Sequence, residues 1–139
     1  MTRRTLQAGP MRIEVRIDGA YLRTVDFSKT IPDDLTAAHL RAMLAQLGEF
    51  ELSFDDAPPF HLKVWQRLQK IPWGSALTYA EVAAAAGSPR AFRAVGQACA
   101  SNPLPLIVPC HRVLAQDGLG GFSGGLHWKR KLLELESEP

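Results

Sequence analysis

The stretch TYAEVAAAAGSPRAFRAVGQACAS, Thr78 to Ser101, decides what kind of domain the chain contains. Thr78 with Glu81 three positions on has the pattern of a capping box, an alanine-rich helix follows, and Gly87 ends it. Ser88 can cap a second helix with Pro89 at its first position. In that helix Phe92, Val95 and Cys99 keep i, i+3, i+7 spacing and are expected to face inward. Arg90, Arg93 and Gln97 keep the same spacing outward, among the small residues Ala94 and Gly96. A short helix, a tight Gly-Ser-Pro turn and a helix with an Arg-bearing polar face form a helix-turn-helix pattern. Any small antiparallel helix pair can look the same, so DNA binding needs support from elsewhere in the chain.

Upstream, Phe60, Val64, Leu68 and Ile71 mark another amphipathic helix, closed by IPWG. Earlier still, Ile13, Val15 and Ile17, then Leu22, Val25 and Phe27, flank Asp18-Gly19, a hairpin signal. A helix should follow, capped by Asp33 or Asp34, with Leu40, Met43, Leu44 and Leu47 as its apolar stripe and Gly48 as its stop. FELSFDDAPP looks like a short strand and a Pro-rich linker. These signals give an α+β protein in two parts: a small α+β unit over residues 1–56, with 1–10 expected to be disordered, and a mostly helical unit over 57–139.

The chain has 139 residues, 46% hydrophobic and 22% charged, an ordinary globular composition. Its apolar runs fall short of the roughly 20 residues a membrane helix needs. The amino terminus has charge without an apolar core behind it, unlike a secretory signal. Two cysteines in such a chain suggest free thiols, and the expected compartment is the cytoplasm. Residues 1–56 carry 7 basic and 9 acidic side chains, net −2, whereas 57–139 carry 9 and 5, net +4. A polyanion would therefore meet the second part.

Downstream lies NPLPLIVPCHRV, Asn102 to Val113, where an apolar run ends in a proline and places Cys110 beside His111. A cysteine attacks only as thiolate, and His111 could accept its proton directly or through a water if a carboxylate held the ring. On a strand the two side chains would diverge, but Pro109 breaks the strand, so both can reach one water. A zinc site is poorly supported, because Cys99 and Cys110 are eleven positions apart with no paired ligand spacing. A buried structural cysteine beside a surface histidine remains the plain alternative. Two features favour reactivity. Asn102, the only asparagine in the chain, can tie the Arg-bearing helix to the cysteine segment through turn hydrogen bonds. GLGGFSGG, Gly118 to Gly125, lets backbone approach a flat ligand, with Phe122 offering a stacking face.

Four ordered motifs, VW-x2-L-x2-IPWG-x3-TY (Val64 to Tyr79), RAVGQA (Arg93 to Ala98), NP-x5-PCHRV and GGFSGG (Gly120 to Gly125), resemble those of the O6-alkylguanine-DNA alkyltransferases. The resemblance runs from about Phe60 to Glu136. It implies a shortened ribonuclease H-like amino-terminal domain followed by a winged-helix, helix-turn-helix domain. It also implies irreversible transfer of an alkyl group from guanine O6 in duplex DNA to Cys110, once per molecule. In these roles His111 takes the thiol proton through a water, Glu136 orients His111, and Asn102 is the hinge. Arg93 fills the stack vacated by an extruded nucleotide, while Arg90, Ala94 and Gln97 share its minor-groove helix. Tyr79 donates to guanine N3. The carbonyls of Cys110 and Val113 accept from the exocyclic amine, and the Ser123 N–H contacts O6. Trp65, Phe122 and Gly124 complete the expected substrate site.

The resemblance implies no cofactor and no metal. Its implied partner is double-stranded DNA carrying O6-alkylguanine, bound by a monomer with little sequence preference. Two departures stand out: Phe122 occupies a position where many members have tyrosine, and the amino-terminal part is short and lacks the zinc ligands of some members. Rival functions are an alkyltransferase-like lesion binder without transfer, a winged-helix regulator and a thiol hydrolase.

Overall fold

A computed structural model of the chain describes residues 1–54 and 56–138; Asp55, in the expected linker, and Pro139 lie outside them. The elements run β1 (Thr2–Ala8), β2 (Met11–Asp18), β3 (Tyr21–Phe27), α1 (Ala37–Leu47), β4 (Glu51–Leu52), α2 (Pro59–Leu68), β5 (Leu77–Thr78), α3 (Tyr79–Ala85), α4 (Phe92–Ala100), a 3-10 turn (Cys110–Arg112), β6 (Val113–Leu114) and α5 (Leu126–Glu136). This is a mixed α+β fold.

The first four strands form one sheet in the order β1-β2-β3-β4, antiparallel except for the parallel β3–β4 edge. Met11, Ile13, Val15 and Ile17 alternate inward along β2, as the period of a half-buried strand requires. The hairpin turns at Gly19, whose φ of 60° suits glycine. On β3 the buried positions are Leu22 and Val25, three apart. The register slips between Arg16 and Ile17, leaving Arg23 as the extra residue of a bulge, so alternation resumes on the same face.

Two expectations for this part change. Residues 1–10 are ordered: Thr2–Ala8 pair along the whole of β2, burying Leu6 and Ala8. The exposed, charged residues of β1 hid its period in the sequence. The cap of α1 is Thr36, not Asp33 or Asp34. Its hydroxyl accepts from the His39 N–H while the His39 ring accepts from the Thr36 N–H, and a histidine as the reciprocal partner is not the usual box.

In the second part α3 begins with the Thr78–Glu81 box as expected. The next helix starts later than expected. Ser88 and Pro89 lie in a turn closed by the Ala91 N–H on the Ser88 carbonyl, and α4 begins at Phe92. With the start moved, Val95 and Cys99 stay buried but Phe92 is 47% exposed. β5 and β6 pair in parallel and bring the segment after Cys110 beside Thr78.

One continuous apolar core links the two parts, from Leu6 of β1 to Leu135 of α5. Specific bonds cross between them. The Val25 N–H donates to the Pro103 carbonyl at 2.9 Å and the Trp128 indole N–H to the Ser28 carbonyl at 2.7 Å. The ring of Phe27 packs against Phe122 and Trp128. The sheet thus supports the loops on either side of Cys110.

Candidate active site

Pro109 precedes a single 3-10 turn, so Cys110 and His111 do not alternate as they would on a strand. Both are buried, at 1% and 0% exposure. α5 delivers Glu136 from the other side. Its Oε2 lies 2.6 Å from His111 Nε2, and Arg112 donates through Nε to Oε1 at 2.7 Å and through Nη2 to Oε2 at 3.0 Å. The remaining Arg112 nitrogen, Nη1, donates to the Ile71 carbonyl at 2.7 Å, anchoring the cluster to the turn after α2.

Electrostatics set the protonation states. Burial opposes the charge on Glu136, but hydrogen bonds from His111 and Arg112 outweigh it and bring its pKa down to about 2. Burial lowers the His111 pKa below its ordinary value despite the pull of Glu136. A neutral ring beside a carboxylate must carry its proton on Nε2, which leaves the Nδ1 lone pair free. Nδ1 is buried and has no hydrogen-bond partner among the described residues. The thiol of Cys110 is pushed up to about 11, chiefly by burial, against smaller pulls from Asn102 and Lys129. Cys110 therefore rests as a thiol, and a thiol in that state attacks only where a base takes its proton.

Asn102 holds the loop before Cys110. Its Nδ2 donates to the Val108 carbonyl and its Oδ1 accepts from the Leu104 N–H, both at 2.9 Å. Between them Leu106 is buried with φ 83°, a left-handed conformation that costs a non-glycine residue of order 1 kcal/mol or more. The two side-chain bonds and the Val108 N–H on the Leu104 carbonyl keep that loop closed.

A pocket of about 290 Å³ is lined by Tyr79, Gly96, Cys99, Ala100, Phe122 and Ser123 with Gly121. Lys129 Nζ ties the Gly121 carbonyl of this lining to the Val113 carbonyl, three residues after Cys110, so the pocket stands near the cysteine segment. The Tyr79 hydroxyl accepts from the Gly121 N–H at 3.2 Å. Gly120 passes so close that an added Cβ would lie 2.5 Å from that hydroxyl. Gly124 is equally confined, between Phe122 and Phe27. Phe122 packs edge-on to His111 at 6.2 Å between ring centroids. Arg93 and Gln97 are exposed and Ala94 is half-buried on α4, which also forms one pocket wall; Arg90 is exposed too, but it lies in the turn before α4 and not on the helix, because the helix starts at Phe92. The Cys110 carbonyl accepts from the Val113 N–H, and the Val113 carbonyl accepts from Lys129 Nζ at 2.7 Å, so each oxygen keeps one lone pair. Trp65 does not line this pocket. It is buried elsewhere, donating to the Ala98 carbonyl at 2.8 Å and so bracing α2 against α4.

The profile of the 6-O-methylguanine DNA methyltransferase DNA-binding domain matches residues 59–138, which hold the Cys110, His111, Arg112 and Glu136 cluster and the lining of the pocket. The chain belongs to this methyltransferase family. A probable methylated-DNA–protein-cysteine methyltransferase of Acanthamoeba polyphaga mimivirus is 46% identical over 117 residues, covering 82% of the chain and 78% of that protein. A methylated-DNA–protein-cysteine methyltransferase of Saccharolobus islandicus is 53% identical over 78 residues, 56% of the chain. The chain spans about half the length of such curated relatives. Among solved structures, Mycobacterium tuberculosis OGT in complex with DNA superposes with a TM-score of 0.76 at 34% identity, covering 97% of the chain and 92% of that one.

In this family member, two groups of the cluster escaped the sequence analysis. Lys129 is fully buried, donating to the Val113 carbonyl and, at 3.0 Å, to that of Gly121. Arg112 was visible within PCHRV but received no role. A signal for Lys129 existed: Lys129 and Glu136 stand seven apart with Leu132 and Leu135 between, so both charges fall on the apolar stripe of α5. A lysine and a glutamate on an inward face need buried partners.

Proposed function

We propose that this chain is a single-turnover DNA repair protein that moves the alkyl group of O6-alkylguanine onto Cys110 Sγ. The observation that carries the proposal is the buried His111–Glu136 pair, with a neutral ring whose Nδ1 has no partner among the described residues, next in sequence to a buried cysteine. In this account the thiol proton passes through one water to Nδ1 as Sγ attacks the alkyl carbon. The C–O6 bond breaks, a thioether forms, and Glu136 balances the charge gained by the ring. Tyr79 donates its hydroxyl proton toward guanine N3, so the base departs without a full negative charge. No second nucleophile displaces a thioether, and each molecule reacts once.

Guanine O6 inside a stacked duplex lies out of reach of a buried thiol, so the nucleotide must be extruded into the pocket beside Tyr79 and Phe122. Arg93, exposed on α4, takes the vacated place in the stack, and Arg90 and Gln97 contact the flanking backbone through the minor groove. The partner is duplex DNA bound by a monomer with little sequence preference, in the cytoplasm. The four-stranded sheet with α1 corresponds to a shortened ribonuclease H-like unit over residues 1–56, and α3–α4 with β5–β6 to a winged helix over 57–139. A lesion binder without transfer is the alternative; the presence of a cysteine next to a histidine that Glu136 holds favours transfer.

The test is stoichiometry. Lesions removed from an O6-methylguanine duplex should plateau at one per protein molecule and vanish with Cys110→Ala. Continued turnover, or binding without removal, would refute the proposal.

A further inference from the structure

The first residue of α4, Phe92, leaves nearly half of its surface in water. The other large apolar side chains so exposed among the described residues are Met1, Tyr21 and Leu126, none of them in the α3–α4 pair. Helical spacing puts Phe92 on one stripe with Gly96, Cys99 and Ala100, at i, i+4, i+7 and i+8. Those last three line the pocket near the cysteine segment, so Phe92 stands one turn before its wall. Between them there is open space at Gly96, where an added Cβ would meet no atom of the described residues within 4 Å beyond its own helix.

The charge around the ring is of one sign. Arg90 and Arg93 are exposed on either side, and no acidic residue occurs between Glu81 and Asp117. An apolar ring framed by two guanidinium groups suits a surface with phosphates at its rim and apolar sugar and base faces within. A DNA groove has that character, whereas a protein surface rarely does. An apolar wedge also lowers the cost of opening a base step, because it replaces the stacking contact that is lost.

We propose that Phe92 is a second wedge, entering the minor groove beside Arg93 and holding the stack open next to the extruded nucleotide. This inference rests on the function proposed above. Arg93 replaces the missing base, while Phe92 lies against the deoxyribose on the pocket side and disfavours return of the lesion to the helix. Phe92 makes no contact with the reacting atoms; it acts on the opening step.

The experiment compares single-turnover transfer from O6-methylguanine in a fully paired duplex and in a duplex whose lesion sits within a three-nucleotide mismatch, where opening is already largely complete. Phe92→Ala should slow transfer from the paired duplex about tenfold and leave the mismatched substrate within about twofold, since the cost of unstacking is at stake only in the first. Phe92→Leu, which keeps apolar bulk, should recover most of the rate. Equal rates for Phe92→Ala and the parent on the paired duplex would overturn the wedge, as would equal slowing on both substrates. Absence of transfer by the parent protein on either substrate would overturn the underlying function instead.

Discussion

His111 Nε2 and Glu136 Oε2 lie 2.6 Å apart with both side chains buried, although 25 positions separate them in sequence. The short contact fixes which ring nitrogen keeps its proton. It also joins the last turn of α5 to the cysteine turn.

Replacing Glu136 by Gln should therefore damage both fold and reaction. Arg112 would lose its anionic partner while remaining buried, a change of about 3–5 kcal/mol in comparable pairs. Transfer should slow by roughly 10²-fold, since His111 would no longer be held as a base. Denaturant unfolding and single-turnover kinetics on the same preparation measure the two effects.

The same carboxylate predicts an acid-side loss of stability. The Glu136 pKa is about 2 in the folded protein against 4.5 for the free side chain. Unfolding then takes up a proton between those values, so the contribution is fully present above pH 4.5 and is lost as pH falls toward 2. Its size is up to about 3 kcal/mol. His111, whose pKa burial lowers, acts in the same direction below its ordinary range. Thermal melts from pH 7 to pH 3 should show the midpoint falling, and Glu136→Gln should flatten the part of that slope below pH 4.5.

Asn102→Ala should cost about 2–4 kcal/mol, because two buried backbone groups, the Val108 carbonyl and the Leu104 N–H, lose their partners together. Asn102→Asp should rescue little, since a carboxylate cannot donate to the Val108 carbonyl. Chemical denaturation of the two variants checks both statements.

A methyl group on Cys110 should destabilise the product. The thiol is 1% exposed, in a turn packed between the Asn102 loop and α5, and one added carbon in such a site costs typically 1–3 kcal/mol. Reacted protein should melt several degrees below unreacted protein; an unchanged midpoint would show that the turn has room to spare.

Much of this was legible in the sequence where local rules act alone. The β2 alternation, the Thr78–Glu81 cap and the Cys110-His111 pair each follow from spacing within a few residues. The start of α4 was not legible, because Ser-Pro is an equally good start for a helix and for a turn; the turn prevailed, and Phe92 came out into solvent. β1 was missed because its solvent-facing residues are charged and its partner strand supplies the pattern. Arg112 depends on a carbonyl and a carboxylate far along the chain, which no local pattern encodes, whereas the place of Lys129 on the apolar stripe of α5 marks it as buried without naming the carbonyls it meets. Trp65 was placed with the substrate by motif alone, whereas its indole N–H belongs to α4.

The most direct test of the account is the intact mass of the protein after reaction with duplex DNA containing one O6-methylguanine. The account predicts the addition of a single methyl group, mapped to the Cys110 peptide, complete at one equivalent and absent from Cys110→Ala. An unchanged mass despite binding to the lesion, or a methyl group found on Cys99, would contradict it.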